Sequence, residues 1–148
     1  MSLLAQIQQE LKAAMLARDA GRLSTLRLLK SAIGYAQIEK KNENLPEADL
    51  LAIVQKEIKK RRDAMEQFQA GGRPELADKE EAEIKVLEHF LPKQLTGEEL
   101  EQLVREVIRD VGATGKKDMG PVIKAVQAKA TGRADGKTIS AAVGRLLP

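Results

Sequence analysis

Apolar residues recur along this chain at three- and four-residue intervals, and no stretch alternates with the period of two that a half-buried strand requires. Leu4, Ile7, Leu11 and Ala14 predict a first amphipathic helix over about 2–18, interrupted by Asp19-Ala20-Gly21. A second starts near Arg22, carries Leu26, Leu29, Ile33 and Ala36 on one face, and ends in Lys40-Lys41-Asn42. Pro46 suits the first turn of a third helix, where its missing amide would be unpaired anyway. That helix shows Leu50, Val54, Ile58, Met65 and Phe68 before Gly71-Gly72. Pro74 opens a fourth with Leu76, Ile84, Leu87 and Leu91 inside, expected to run up against Pro92.

The fifth helix has the clearest start. Thr96 is placed to cap it, Glu99 holds the reciprocal capping-box position, and Leu95 precedes an apolar run of Leu100, Leu103, Val104, Val107 and Val111. Gly112 is its expected terminator. Met119, Val122, Ile123 and Val126 predict a sixth helix from about Asp118, with Pro121 tolerated in the first turn. Ile139, Ala142, Val143 and Leu146 predict a seventh. The expected fold class is all-α: an N-terminal four-helix domain, 1–92, followed by a small C-terminal three-helix bundle, 93–148. Docking of the two parts through Phe90 and Leu91 is the alternative to a hinged tail. Leu50, Leu51, Ile53 and Val54 span more than one narrow face, so either self-association or cover by the other helices accounts for them.

Composition narrows the chemistry. There is no cysteine, so disulfides, thiol nucleophiles and thiolate metal sites are excluded, which fits a cytoplasmic protein. Nothing at Met1–Gln6 looks like a secretory signal, and no apolar run reaches membrane-spanning length, so no membrane association is expected. Tyr35, Phe68 and Phe90 are the only aromatics, too few for nucleic-acid binding by base stacking. The net charge of +3 matters only through its distribution. Up to Pro92 the basic and acidic residues balance at fifteen each, whereas Gly112–Pro148 holds seven Lys/Arg against two Asp. A basic tip of this kind suits a polyanion or an acidic partner.

No catalytic constellation stands out. His89 is the only histidine, and Ser24, Ser31 and Ser140 lack an activating neighbour at an obvious spacing. Asp78, Glu80, Glu81 and Glu83 point in several helical directions and suit a solvated face. Gly112-Ala113-Thr114-Gly115-Lys116-Lys117 lacks the complete phosphate-loop pattern and the strand that should precede it. Catalytic, cofactor and metal residues are therefore none. Two glycine-containing loops remain, with Lys116 and Lys117 in one and Arg133 and Lys137 in the other. Asp118 and Asp135 are expected to cap or brace them, while Gly120, Gly132 and Gly136 permit close loop geometry. These four cations would face an RNA backbone through salt-dependent phosphate contacts. An acidic protein partner and an ordinary solvated surface are the competing readings.

Several segments together are similar to the GatB/YqeY-domain family, specifically its short stand-alone YqeY-like members. They are Gly72-Arg73, Lys79 to Ile84, Phe90-Leu91-Pro92-Lys93-Gln94-Leu95, Lys117 to Lys124, and Gly132-Arg133-Ala134-Asp135-Gly136-Lys137. Ile123 stands where the family usually has methionine. The resemblance implies a helical N-terminal domain and a three-helix C-terminal domain similar to the tail of the B subunit of the tRNA-dependent amidotransferase. In that enzyme the tail helps hold tRNA, while catalysis sits in a domain this chain lacks. The resemblance therefore implies a noncatalytic tRNA- or structured-RNA-binding or adaptor protein. The alternatives are an accessory component of carbon–nitrogen ligase activity with glutamine as amido-N-donor, and a protein-interaction module.

Overall fold

Local capping sets most of the helix starts. A computed structural model describes residues 1–148 as seven α-helices with no strand. In α1 (Leu3–Ala17) the Ser2 hydroxyl accepts the Ala5 N–H at 3.1 Å. Arg18 then takes a left-handed conformation with φ 55°. Asp19 accepts the Arg22 N–H at 3.2 Å and caps α2 (Ala20–Glu39). The carboxylate supplies the acceptor that a helix start needs. The predicted break at Asp19-Ala20-Gly21 is therefore shorter, and Gly21 lies in the first turn of α2. Pro46 stands just outside α3 (Glu47–Ala70), where its carbonyl accepts from Asp49 and Leu50, rather than inside its first turn. Gly72, with φ 71°, turns the chain into α4 (Pro74–Glu88).

The chain divides into two compact units, Met1–Leu91 and Pro92–Pro148. In the first, α1 to α4 surround a core whose most buried members include Ile7, Leu26, Leu29, Ile33, Val54 and Leu87. Burying each such side chain contributes about 1.5–3 kcal/mol before entropy is counted. α4 ends earlier than expected, at Glu88, because the backbone turns to bring Phe90 and Leu91 onto this same core. Of the two readings of α3, cover by the other helices is the one the packing bears out. Leu50, Leu51 and Val54 are only 6%, 9% and 0% exposed, and Ile53 packs against the core beside them.

A charged cluster lies between α3 and α4. Arg61 is buried, donates from Nη1 to the Glu57 carbonyl at 3.0 Å, and holds Nε 3.7 Å from Glu83 Oε2. Glu57 is buried beside it. Burial, and then the charge of Glu83, push the Glu80 carboxyl above its ordinary range. Asp78 and Glu81 are exposed. His89 is also exposed, with Nε2 3.4 Å from Glu10 Oε1. No three His, Asp or Glu side chains come together in a way that could hold a metal ion.

The second unit contains α5 (Gly97–Val111), α6 (Met119–Lys129) and α7 (Gly136–Leu146), with a short 3-10 turn at Lys116–Asp118 before α6. The capping box forms as the pattern predicts: Glu99 N–H donates to Thr96 Oγ1 and Thr96 N–H to Glu99 Oε1, each at 3.1 Å. Gly112, with φ 69°, ends α5. Leu100, Val104, Val107, Val122, Val126, Ile139 and Val143 form the centre of an entirely aliphatic core.

Candidate nucleic-acid interface

α6 and α7 pack antiparallel, and this separates the four cations singled out in the sequence. A Cβ on Gly144 would lie 3.4 Å from Met119 Cε, whereas one on Gly136 would lie 3.6 Å from Gln127 Nε2. Lys116 and Lys117 consequently stand by the end of α7, and Arg133 and Lys137 by its start. Gly136 and Gly144 are about 12 Å apart along the α7 axis at 1.5 Å per residue. The structure does not gather these residues into a single tip.

Their local roles differ too. Lys116 Nζ donates to the Gly144 carbonyl and ties the loop to α7. Arg133 Nε donates to the Lys93 carbonyl at 2.9 Å, and the Arg133 carbonyl accepts the Leu95 N–H at 2.9 Å. Gln94 Nε2 donates to the Gly132 carbonyl at 2.7 Å. Arg133 thus fastens the α6–α7 loop to the segment entering α5. Lys117 and Lys137 are exposed, and the charge of Lys117 helps to lower the neighbouring Asp118 carboxyl.

The two aspartates also divide their work. Asp135 caps α7, its Oδ1 accepting the Thr138 N–H at 2.6 Å. Asp118 does not cap α6. It folds back, and Oδ2 accepts the Thr114 N–H at 2.9 Å and the Gly115 N–H at 3.4 Å. These amides, Thr114 foremost, hold its carboxyl below the ordinary carboxylate range. Only Gly132, among Gly120, Gly132 and Gly136, has a positive φ, at 74°. Gly120 is helical immediately before Pro121, where a Cβ would crowd the proline ring.

What the sequence reading missed lies between the two loops. Val122 and Val126 turn α6 inward, so its opposite face carries Gly120, Pro121, Lys124, Gln127 and Ala128, all exposed. No acidic residue interrupts that face. Lys117 lies in the 3-10 turn just before α6, and Lys137 follows in the first turn of α7, next to Gly136, which meets Gln127. Lys124 thus stands on an exposed, acid-free face of α6 about 16 Å long, with exposed lysines in the turns at either end. The detectable signal was a helix face without acids.

Five of the unit's seven side-chain carboxylates lie on α5, and Asp118 and Asp135 lie in the loops at either end of α6. α5 holds four Glu and one Asp against two Arg. Glu101 pairs with Arg145 at 2.7 Å and Asp110 with Lys129 at 3.9 Å, leaving Lys124 unpaired. Charge is unevenly placed within this small bundle: most acids are on α5, while Lys124 is exposed on α6 and Lys137 in the first turn of α7.

Comparison with known proteins places the chain. It is 34% identical over 139 residues to "Altered inheritance of mitochondria protein 41, mitochondrial" of Kluyveromyces lactis, covering 92% of this chain and 71% of the relative. The protein of that name in Pyrenophora tritici-repentis is 31% identical over 133 residues, with coverage of 88% and 72%. In Saccharomyces cerevisiae the identity is 28% over 95 residues, covering 64% of this chain and 51% of the relative. These mitochondrial names overturn the expectation of a cytoplasmic protein. A cysteine-free composition suits any reducing compartment and does not distinguish between them. The family model described as "Yqey-like protein" matches residues 4–147, nearly the whole described chain, and the chain belongs to that family.

Proposed function

We propose that the Pro92–Pro148 unit binds structured RNA, tRNA included, without catalysing a reaction on it. The observation that carries this reading is the acid-free outer face of α6 with exposed Lys124, flanked by exposed Lys117 in the preceding turn and Lys137 at the start of α7. Lysines so placed suit phosphates, while Gly120 and Ala128 keep the surface low enough for a backbone to approach. Contacts to phosphates position the nucleic acid and carry little sequence information. In this reading Lys116 and Arg133 act as braces for the flanking loops. The relatives' names tie them to mitochondria and their inheritance and specify no ligand, so the reading rests on the charge geometry.

The test is binding of a tRNA transcript across a salt series, using the intact protein and the Lys117→Gln/Lys124→Gln/Lys137→Gln variant. Each lost phosphate contact lowers the magnitude of the log–log salt slope by about 0.7–0.9. The triple variant should lose about two units of slope and bind at least 10-fold more weakly at low salt. Equal slopes and affinities, with an unchanged circular dichroism spectrum, would reject this surface.

A further inference from the structure

α2 has two apolar faces, and its own unit uses only one. Leu26, Leu29 and Ile33 are buried in the core. Leu28, Tyr35 and Ile38 are nevertheless 49%, 74% and 76% exposed. These three belong to a regular series, Gly21, Ser24, Leu28, Ser31, Tyr35 and Ile38, spaced alternately by three and four residues. That spacing is the seam of a two-stranded coiled coil, and here it faces solvent along nearly the full length of a 20-residue helix.

The size pattern along the seam specifies an occupant. Its first half is small (Gly21, Ser24) and its last half large (Tyr35, Ile38). Antiparallel pairing with an identical helix sets Gly21 against the partner's Ile38, Ser24 against the partner's Tyr35, and Leu28 against the partner's Ser31. Every layer then joins one small residue to one large one. Parallel pairing would instead stack Tyr35 on the partner's Tyr35 and leave a gap at Gly21.

The surface already contains the corresponding hole. A shallow groove of about 300 Å³ is lined by Ala20, Leu23, Ser24, Arg27, Leu28 and Ser31. The first four stand at i, i+3, i+4 and i+7, the four corners that receive one side chain from a facing helix. In the antiparallel register that side chain is the partner's Tyr35. Arg27, which forms no ion pair, would lie against its ring as a cation–π contact.

We infer that this face is a two-fold, antiparallel α2–α2 interface between copies of the chain. A helix of this length is about 30 Å long. One such pair buries on the order of 1,000 Å² in total, at the low end for specific interfaces.

Light-scattering mass measurements from about 1 µM to about 1 mM should pass from monomer to dimer across that range. Leu28→Glu, at an exposed position, should stay monomeric throughout with an unchanged thermal unfolding curve. The absence of native cysteine permits a register test. An equimolar mixture of Ser24→Cys and Tyr35→Cys proteins should give a disulfide-linked heterodimer on mild oxidation. Each variant alone should give little, because antiparallel pairing leaves identical sites about 16 Å apart. A wild-type protein monomeric to the top of the series overturns the inference. So does a dimer indifferent to Leu28→Glu, or self-linking by either single variant that matches the mixture.

Discussion

Replacing Gly132 by alanine tests whether the α6–α7 loop is held by backbone conformation. Gly132 has φ 74° and is buried, and its carbonyl accepts from Gln94. A Cβ in the left-handed region costs about 1–2 kcal/mol. If the backbone escapes that strain, it gives up the Gln94 hydrogen bond, worth about 1 kcal/mol. Either route puts the loss at about 1–2 kcal/mol. Gly136, four residues later, has no positive φ, and an added Cβ would meet only Gln127 Nε2 at an ordinary 3.6 Å. Gly136→Ala should therefore stabilise by about 0.5 kcal/mol, by reducing the freedom of the unfolded chain. Fluorescence cannot report the difference, since Tyr35, Phe68 and Phe90 all lie in the first unit. Amide hydrogen exchange at Val104, Val122 and Val126 can, and about 1.4 kcal/mol corresponds to tenfold faster exchange. A Gly132→Ala protein exchanging like wild type, or Gly136→Ala exchanging as fast as Gly132→Ala, would refute the argument.

Further outcomes follow from the cores and carboxylates. Val126→Ala removes two fully buried methyl groups and should cost about 2 kcal/mol, unfolding the second unit in denaturant before the first, as read by amide exchange in each. On acidification the shifted carboxylates act in opposite senses. Glu99, held down chiefly by its bond from the Thr96 amide, and Asp118 both have depressed folded values. Their contribution is present above the ordinary 4.5 and 3.8 and is lost as pH falls through the folded values. Glu80 is raised above 4.5, so its ionised form opposes folding, and that opposition is relieved as pH falls through the raised value. Unit-resolved exchange from pH 7 to pH 3 should show the second unit weakening below the ordinary carboxylate range, while in the first unit the relief at Glu80 offsets the loss at Glu75, whose carboxyl is held down by its bond from Arg73. Replacing Glu80 by Gln should remove that offset, so that the first unit weakens more on acidification than in the wild type, and an unchanged pH curve for the variant would contradict the assignment.

The all-helical fold was legible because its signals are local. Thr96 and Glu99 specify the start of α5 within four residues, and Asp19, Asp135 and Gly112 act at similarly short range. Errors and open alternatives arose where distant contacts decide. α4 stops before Pro92 because Phe90 and Leu91 turn toward side chains from other helices. The apolar width of α3 left self-association and cover by its neighbours both open until the packing buried Leu50 and Leu51. At the candidate site, residue types were readable but grouping was not. Only the antiparallel packing of α6 on α7 shows that Lys116 and Arg133 lie near opposite ends of a hairpin, each already engaged. Lys124 was passed over because its importance comes from the acid-free face around it.

The uneven placement of charge in the second unit also bears on kinetics. With most carboxylates on α5 and exposed lysines on α6 and at its two ends, the bundle carries a permanent electric moment that a modest net charge conceals. Near any polyanion this moment exerts a torque, so the unit turns before it touches and arrives with α6 leading. Collisions through α5 are repelled, which raises the productive share of encounters. Ions at physiological strength confine the effect to the last 8 Å or so of approach. Rearranging the same residues to remove the moment would leave composition and isoelectric point unchanged, yet slow capture and flatten its dependence on salt.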